Sequence, residues 1–126
     1  MIQTITAAAY RAMKAKRPSK YRAQPVTIDG LRHASGAEAT RFMALRMMEK
    51  AGLILDLEHQ PRFELFGRDG SHIGFYSADS SYLVCATGEV VVEDVKSPIT
   101  ARTAAFRRTL KLMKATWGID VKVYIP

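Results

Sequence analysis

Asp94 and Lys96 stand two residues apart at the end of an apolar run, Glu89-Val90-Val91-Val92-Glu93-Asp94-Val95-Lys96. The run reads as a buried β-strand, on which residues two apart share a face. The carboxylate and the ammonium therefore project together. Burying such charges at a sheet edge is costly unless they pair or bind something. A carboxylate with a lysine just beyond it can hold a divalent metal and a water next to a phosphate, which is a first hint of phosphodiester chemistry. Asp79 lies in Phe75-Tyr76-Ser77-Ala78-Asp79-Ser80-Ser81-Tyr82-Leu83, a run that the short turn Thr87-Gly88 joins to the first. Antiparallel pairing of the two can bring Asp79 within reach of Asp94. Two carboxylates, a backbone carbonyl and waters form a typical oxygen-ligand set for Mg²⁺. His33, His59 and His72 have no ligand spacing and only Cys85 accompanies them, which argues against zinc.

A third carboxylate comes from a helix. Ser35-Gly36-Ala37-Glu38 fits a capping box, and the helix it opens is expected to run to Ala51 and stop at Gly52. Glu38, Phe42 and Leu45 are spaced by four and three, so they share one face. Each acidic residue also has a plain structural reading. Glu38 can simply close the cap, Asp79 can face water at a strand end, and Glu93-Asp94 with Lys96 can form an exposed ion pair worth little.

The elements that must position these residues follow the hydrophobic period. Asp29-Gly30 between Val26, Ile28 and Leu31 predicts a hairpin over residues 23–34. Strands are expected over 53–57 and 62–66, with Gln60-Pro61 an edge, a bend or a bulge between them. A longer strand over 73–86 turns into 89–96. Phe106, Leu110, Met113 and Trp117 mark the buried stripe of a helix over 101–115, capped by Thr100 and closed by Gly118. A last strand covers 121–125. The order predicts a mixed α/β domain with helices packed on a central sheet.

Composition narrows the class. A chain of 126 residues with 48% hydrophobic content suits one compact domain. No apolar run approaches the roughly 20 residues of a membrane helix. The first positive charges follow apolar residues instead of preceding them, unlike a signal peptide. A single cysteine, Cys85, excludes an internal disulfide framework and reads as a small core residue. The expected setting is cytoplasmic. Of the net charge of +7, +6 precedes Asp29, from Arg11, Lys14, Lys16, Arg17, Lys20 and Arg22; the remaining 98 residues hold 13 basic and 12 acidic side chains. Residues 1–22 thus read as a basic arm, with a short helix expected over 4–16, and residues 23–126 as the domain. Such an arm suits a polyanion, usually nucleic acid. Arg107, Lys111 and Lys114 form a second basic stripe.

The order Glu…Asp…Asp-x-Lys on helix, strand and strand resembles the PD-(D/E)xK nuclease superfamily. More narrowly, the chain resembles small phage and prophage proteins of that superfamily that are endonuclease- or Holliday-junction-resolvase-like. The matching stretches are Lys20-Tyr21, Asp29-Gly30, Ser35 to Glu38, Gly52 to Gln60-Pro61 with Phe63, Ala78-Asp79, and Val92 to Lys96. The resemblance implies a mixed central β-sheet flanked by helices, the restriction-endonuclease-like core. It implies Asp79 and Asp94 as metal ligands, the Val95 carbonyl as another, and Lys96 as the residue that positions water. Glu38 would contact the metal site directly or through water, and Gln60 matches a glutamine near the site. The family's proline before the first aspartate is Ala78 here.

The activity implied is Mg²⁺- or Mn²⁺-dependent hydrolysis of DNA, with branched duplex as substrate, a homodimer as the assembly, host cytoplasm as the setting if phage-encoded, and 5′-phosphate and 3′-hydroxyl products. The uncatalysed reaction is slow enough that about 20 kcal/mol of barrier reduction is required. The arm and the stripe Arg107, Lys111, Lys114 would grip phosphates. Two other readings stand beside it. One is a nucleic-acid-binding protein that kept the fold and lost the chemistry. The other is a nuclease acting on RNA or simple DNA ends.

Overall fold

The computed structural model describes residues 26–28, 31–33 and 35–126. Strands β1 (Val26–Ile28) and β2 (Leu31–His33) pair antiparallel with Ile28 opposite Leu31, the hairpin expected there. Its turn, Asp29-Gly30, lies outside the described residues. So does the arm over 1–22, with its expected helix and its six basic residues.

Helix α1 (Gly36–Lys50) begins where Ser35, in extended conformation, accepts a hydrogen bond from the Glu38 N–H at 3.2 Å. Ala39, Phe42 and Leu45 are its buried residues, at a helical spacing of three. Ala51 closes the helix, and Gly52 follows at φ +79°, the left-handed backbone that glycine adopts without cost.

The expected long strand over 73–86 is broken at Ala78-Asp79. Its two parts are β5 (His72–Ser77) and β6 (Ser80–Val84), matched by β4 (Arg62–Phe66) and β3 (Ile54–His59). Arg62 faces Ser77 and His59 faces Ser80, so both strands cross the break with no residue gained or lost. The two pairs are one long hairpin with a kink. Pro61 has no N–H to donate, and Gln60 takes a left-handed φ of +52°. Backbone bonds still cross the kink, Gln60 N–H to Asp79 O at 2.9 Å and Ala78 N–H to Pro61 O at 3.1 Å. The outer half stays a two-stranded ribbon, β4-β5. The inner half joins β7 (Val90–Val95) and β8 (Lys122–Tyr124) in a sheet ordered β3-β6-β7-β8, with only the β7–β8 pair parallel. β7 is therefore an interior strand, in keeping with the buried strand expected there.

The helix expected over 101–115 starts three residues later, and a separate short helix precedes it. Ser97 caps α2 (Pro98–Ala101), and Thr103 caps α3 (Ala104–Trp117), its hydroxyl accepting from the Phe106 N–H. Thr100, the expected cap, lies inside the first of them. Gly118, at φ +69°, ends α3 as expected. Phe106 and Met113 are buried, and the Trp117 indole donates to the Glu64 carbonyl at 2.8 Å.

The sheet is covered on both faces. One core joins Phe63, Leu65, Tyr76, Ala78 and Val92 to Met113 and Ile119, beneath α3. The other joins Leu45 of α1 to Ile54 and Tyr82. Each large side chain buried in this way contributes about 1.5–3 kcal/mol. The fold is mixed α/β with helices flanking a central mixed sheet. Cys85 is exposed, not a core residue, because it falls in the turn beyond β6. No helix among the described residues is long and apolar enough to cross a membrane.

Candidate functional site

Strand alternation separates Glu93 and Asp94. Asp94 shares the α3 face of β7 with Val92 and is only 2% exposed. Its Oδ2 accepts a hydrogen bond from the Tyr76 hydroxyl at 2.5 Å. Its Oδ1 lies 3.1 Å from Lys96 Nζ, the same-face pair that two-residue spacing predicts. The pair is buried at its acidic end rather than exposed, so its attraction is less screened than at a surface. The ammonium also sits 5.1 Å from the centroid of the Phe106 ring at the start of α3.

Asp79 occupies the kink. Ser80 opposes Glu93, and one further step of that register sets Asp79 across from Asp94. Its backbone N–H donates to the Glu93 carbonyl at 3.1 Å, and its Oδ2 accepts from the Val95 N–H at 2.7 Å. Burial, the adjacent Asp94 carboxyl and the charge of Glu38 push the Asp79 carboxyl up from the ordinary 3.8 to about 9, with only the Val95 bond opposing them. Two carboxyls pressed together in this way require a proton or a cation between them. The Tyr76 hydroxyl is pushed up well beyond its usual range by burial and by Asp94, so it remains a donor.

The donor chemistry fits a small hard cation. Mg²⁺ is commonly held by one or two carboxylates and keeps its other positions for water and phosphate. Asp79 and Asp94 provide that pair, and Val95 adjoins both at the end of β7. Among the described residues there is no group of three or more His, Cys, Asp and Glu side chains that could hold a metal ion by itself. Glu38, half-buried in the first turn of α1, acts on Asp79 through its charge and does not complete such a group. Gln60 stands in the kink, with its backbone bonded to Asp79. His33 and His59, which have no ligand spacing in sequence, meet with ring centroids 4.6 Å apart and share contact with Phe42.

On the opposite face of β7, Glu93 is 1% exposed and belongs to a different assembly. Arg41 of α1 holds it with a two-pronged bond at 2.8 and 2.9 Å. The Tyr82 hydroxyl donates to it at 2.9 Å, and Lys122 Nζ lies 3.8 Å away. The Arg41 guanidinium also stacks 4.1 Å over the Tyr124 ring of β8. Each link joins Glu93 to a different element, α1, β6 or β8.

Of the expected phosphate contacts, Arg107 and Lys111 are exposed on α3, whereas Lys114 pairs with Asp120 at 2.8 Å. Two contributors were missed in sequence. Tyr76 was legible in principle, since Tyr76 and Ala78 alternate on a strand and a core tyrosine needs an acceptor for its hydroxyl. Arg41 had no such signal, because its partner lies 52 residues away.

A family model matches residues 18–124, nearly the whole chain. The chain belongs to this family, described as "protein of unknown function (DUF1064)". The match takes in α1, the kinked hairpin, β7 and β8, so every residue of the Asp79–Asp94 site lies within the family's span. No curated protein and no solved structure matches the chain.

Proposed function

We propose that the protein is a Mg²⁺- or Mn²⁺-dependent endonuclease that hydrolyses phosphodiester bonds in DNA, with branched duplex as its substrate. The observation that carries the reading is the buried meeting of Asp79 and Asp94, with Lys96 bonded to the same carboxylate. Placing two acidic groups together costs free energy unless a cation is to be bound. That cost supports a binding role over a structural one.

Asp79 and Asp94 would hold the metal, with the Val95 carbonyl adjoining. When bound, the cation would supply Lewis acidity toward a phosphate oxygen and toward water. Tyr76 and Lys96 fix the Asp94 carboxylate from its two oxygens, so its orientation is set before substrate arrives. Lys96 is bonded directly to Asp94 of the pair, and it would orient the attacking water or offset the negative charge that grows on the phosphate. Glu38, at the edge of the group, would hold a second water. In the reaction water adds to phosphorus and the bond to the 3′ oxygen breaks. Arg107 and Lys111 would hold flanking phosphates, and the basic arm would add others.

The test is cleavage of a four-way junction, a flap, linear duplex, single-stranded DNA and RNA in Mg²⁺ or Mn²⁺. Asp94→Ala and Lys96→Ala are run beside the wild type. Loss of metal-dependent junction cleavage in both variants supports the reading. Activity that survives both substitutions would sink the site, and metal-independent binding without cleavage of any substrate would favour a binding protein.

A further inference from the structure

We propose that Ile99, exposed on α2, is a wedge that enters an unstacked base step of the nucleic acid, so that the feature selected beside this site is a discontinuity in a duplex. The placement of the scissile phosphate near Lys96 rests on the nuclease reading. The surface itself is argued from exposure and charge.

No residue of α2 is buried. The turn joins the end of β7 to the start of α3, and Pro98, Ile99 and Thr100 are exposed. Ile99 is 81% exposed, the highest value among the exposed large hydrophobic residues described. A lone exposed apolar side chain is ordinary, so its setting decides the matter. Ile99 follows Lys96 by three residues, a reach of about 10 Å at most. From Lys96 to Ile119 the chain has six cations, Lys96, Arg102, Arg107, Arg108, Lys111 and Lys114, and no acidic residue. Arg102, Arg107, Arg108 and Lys111 are exposed. The occupant that matches such a surface is a polyanion.

The turn is also braced. The Ser97 hydroxyl accepts from the Thr100 N–H and donates to the Thr100 hydroxyl. The Ala101 N–H bonds back to the Ser97 carbonyl, and the Thr103 hydroxyl donates to the Thr100 carbonyl, both at 2.9 Å. Ile99 is thus presented on a fixed support. A duplex whose phosphate reaches Lys96 passes over this turn. The exposed cations of this segment meet phosphates, and the apolar side chain finds a matching surface only on bases. Apolar wedges of this kind enter base steps at a cost of a few kcal/mol in lost stacking. The cost is least where stacking is already broken, as at a branch point or mismatch.

The experiment places 2-aminopurine at the branch of a four-way junction and at the same sequence position in linear duplex. Each is titrated in EDTA with wild type, Ile99→Ala and Arg102→Ala, and cleavage is then measured in Mg²⁺. We expect wild type to raise the junction signal and Ile99→Ala to abolish that rise while binding linear duplex within twofold of wild type. Arg102→Ala should weaken binding to both substrates but keep the rise at saturation. In Mg²⁺, Ile99→Ala should slow junction cleavage at least tenfold and linear cleavage no more than twofold. Equal signals and equal cleavage by wild type and Ile99→Ala would overturn the wedge and leave the nuclease reading intact. An Ile99-dependent rise with no cleavage of any substrate would overturn the nuclease reading and leave the wedge. Absence of both binding and cleavage would overturn both.

Discussion

Arg41 and Glu93 meet across the interior, guanidinium to carboxylate at 2.8 and 2.9 Å, on the face of β7 opposite Asp94. Glu93 is the residue next to Asp94, and Arg41 lies one helical turn beyond Glu38. The clamp therefore fixes α1 against β7 at the level where Glu38 and Asp94 act on Asp79. Substituting Arg41 by Met keeps the length of the side chain and leaves Glu93 buried without its guanidinium, held by the Tyr82 hydroxyl and the more distant Lys122. Removing one partner of a buried pair costs about 3–5 kcal/mol. Urea unfolding should show a loss of that order, and a loss below about 1 kcal/mol would show that the clamp contributes little.

Tyr76→Phe keeps a ring in the core with Phe63, Val92 and Met113 and deletes only the donor to Asp94. A hydrogen bond to a charged group contributes about 1.5–3 kcal/mol, so a modest loss of stability is expected. Groups that orient a metal ligand typically contribute 10- to 100-fold in affinity or activity. Cleavage should fall within about that range and should require more Mg²⁺ for half-maximal rate. Unchanged Mg²⁺ dependence would assign Tyr76 to packing alone.

Asp79 gives stability a pH dependence of definite sign. Its folded carboxyl is pushed up to about 9, whereas the unfolded one titrates near the ordinary 3.8. Between those values the folded state binds more protons, so this group's contribution falls as pH rises. In EDTA, the wild-type Tm should decline from pH 5 to pH 8 more steeply than that of Asp79→Asn. At pH 8, Mg²⁺ should raise the wild-type Tm and leave the Asn variant nearly unmoved. Identical pH profiles would mean that the two carboxyls do not share a proton.

The cations of α3 should act on affinity and not on sequence choice. Each lost phosphate contact lowers the salt slope of binding by about 1. Arg107→Ala and Lys111→Ala should each do so across unrelated DNA sequences, as read from fluorescence anisotropy over a salt series. Lys114→Ala should have a smaller effect, because its ammonium is engaged with Asp120.

The sequence by itself determined the local parts. Hydrophobic period and capping placed α1 to within a residue at its start, and two-residue spacing put Lys96 on the same face as Asp94. These features depend on neighbours a few residues apart, so short windows contain their cause. The sequence left Asp79 at an unknown distance from Asp94, because strand register depends on pairing between segments. Tertiary structure decided that register and carried the bend expected at Gln60-Pro61 across to Ala78-Asp79, where it breaks the expected long strand in two. It also sorted the adjacent pair Glu93 and Asp94. On the α3 face one carboxylate met Asp79, Tyr76 and Lys96; on the α1 face the other met Arg41 and Tyr82. Alternation along a strand requires that separation, but only the packing of α1 and α3 on opposite faces gave each carboxylate its partners.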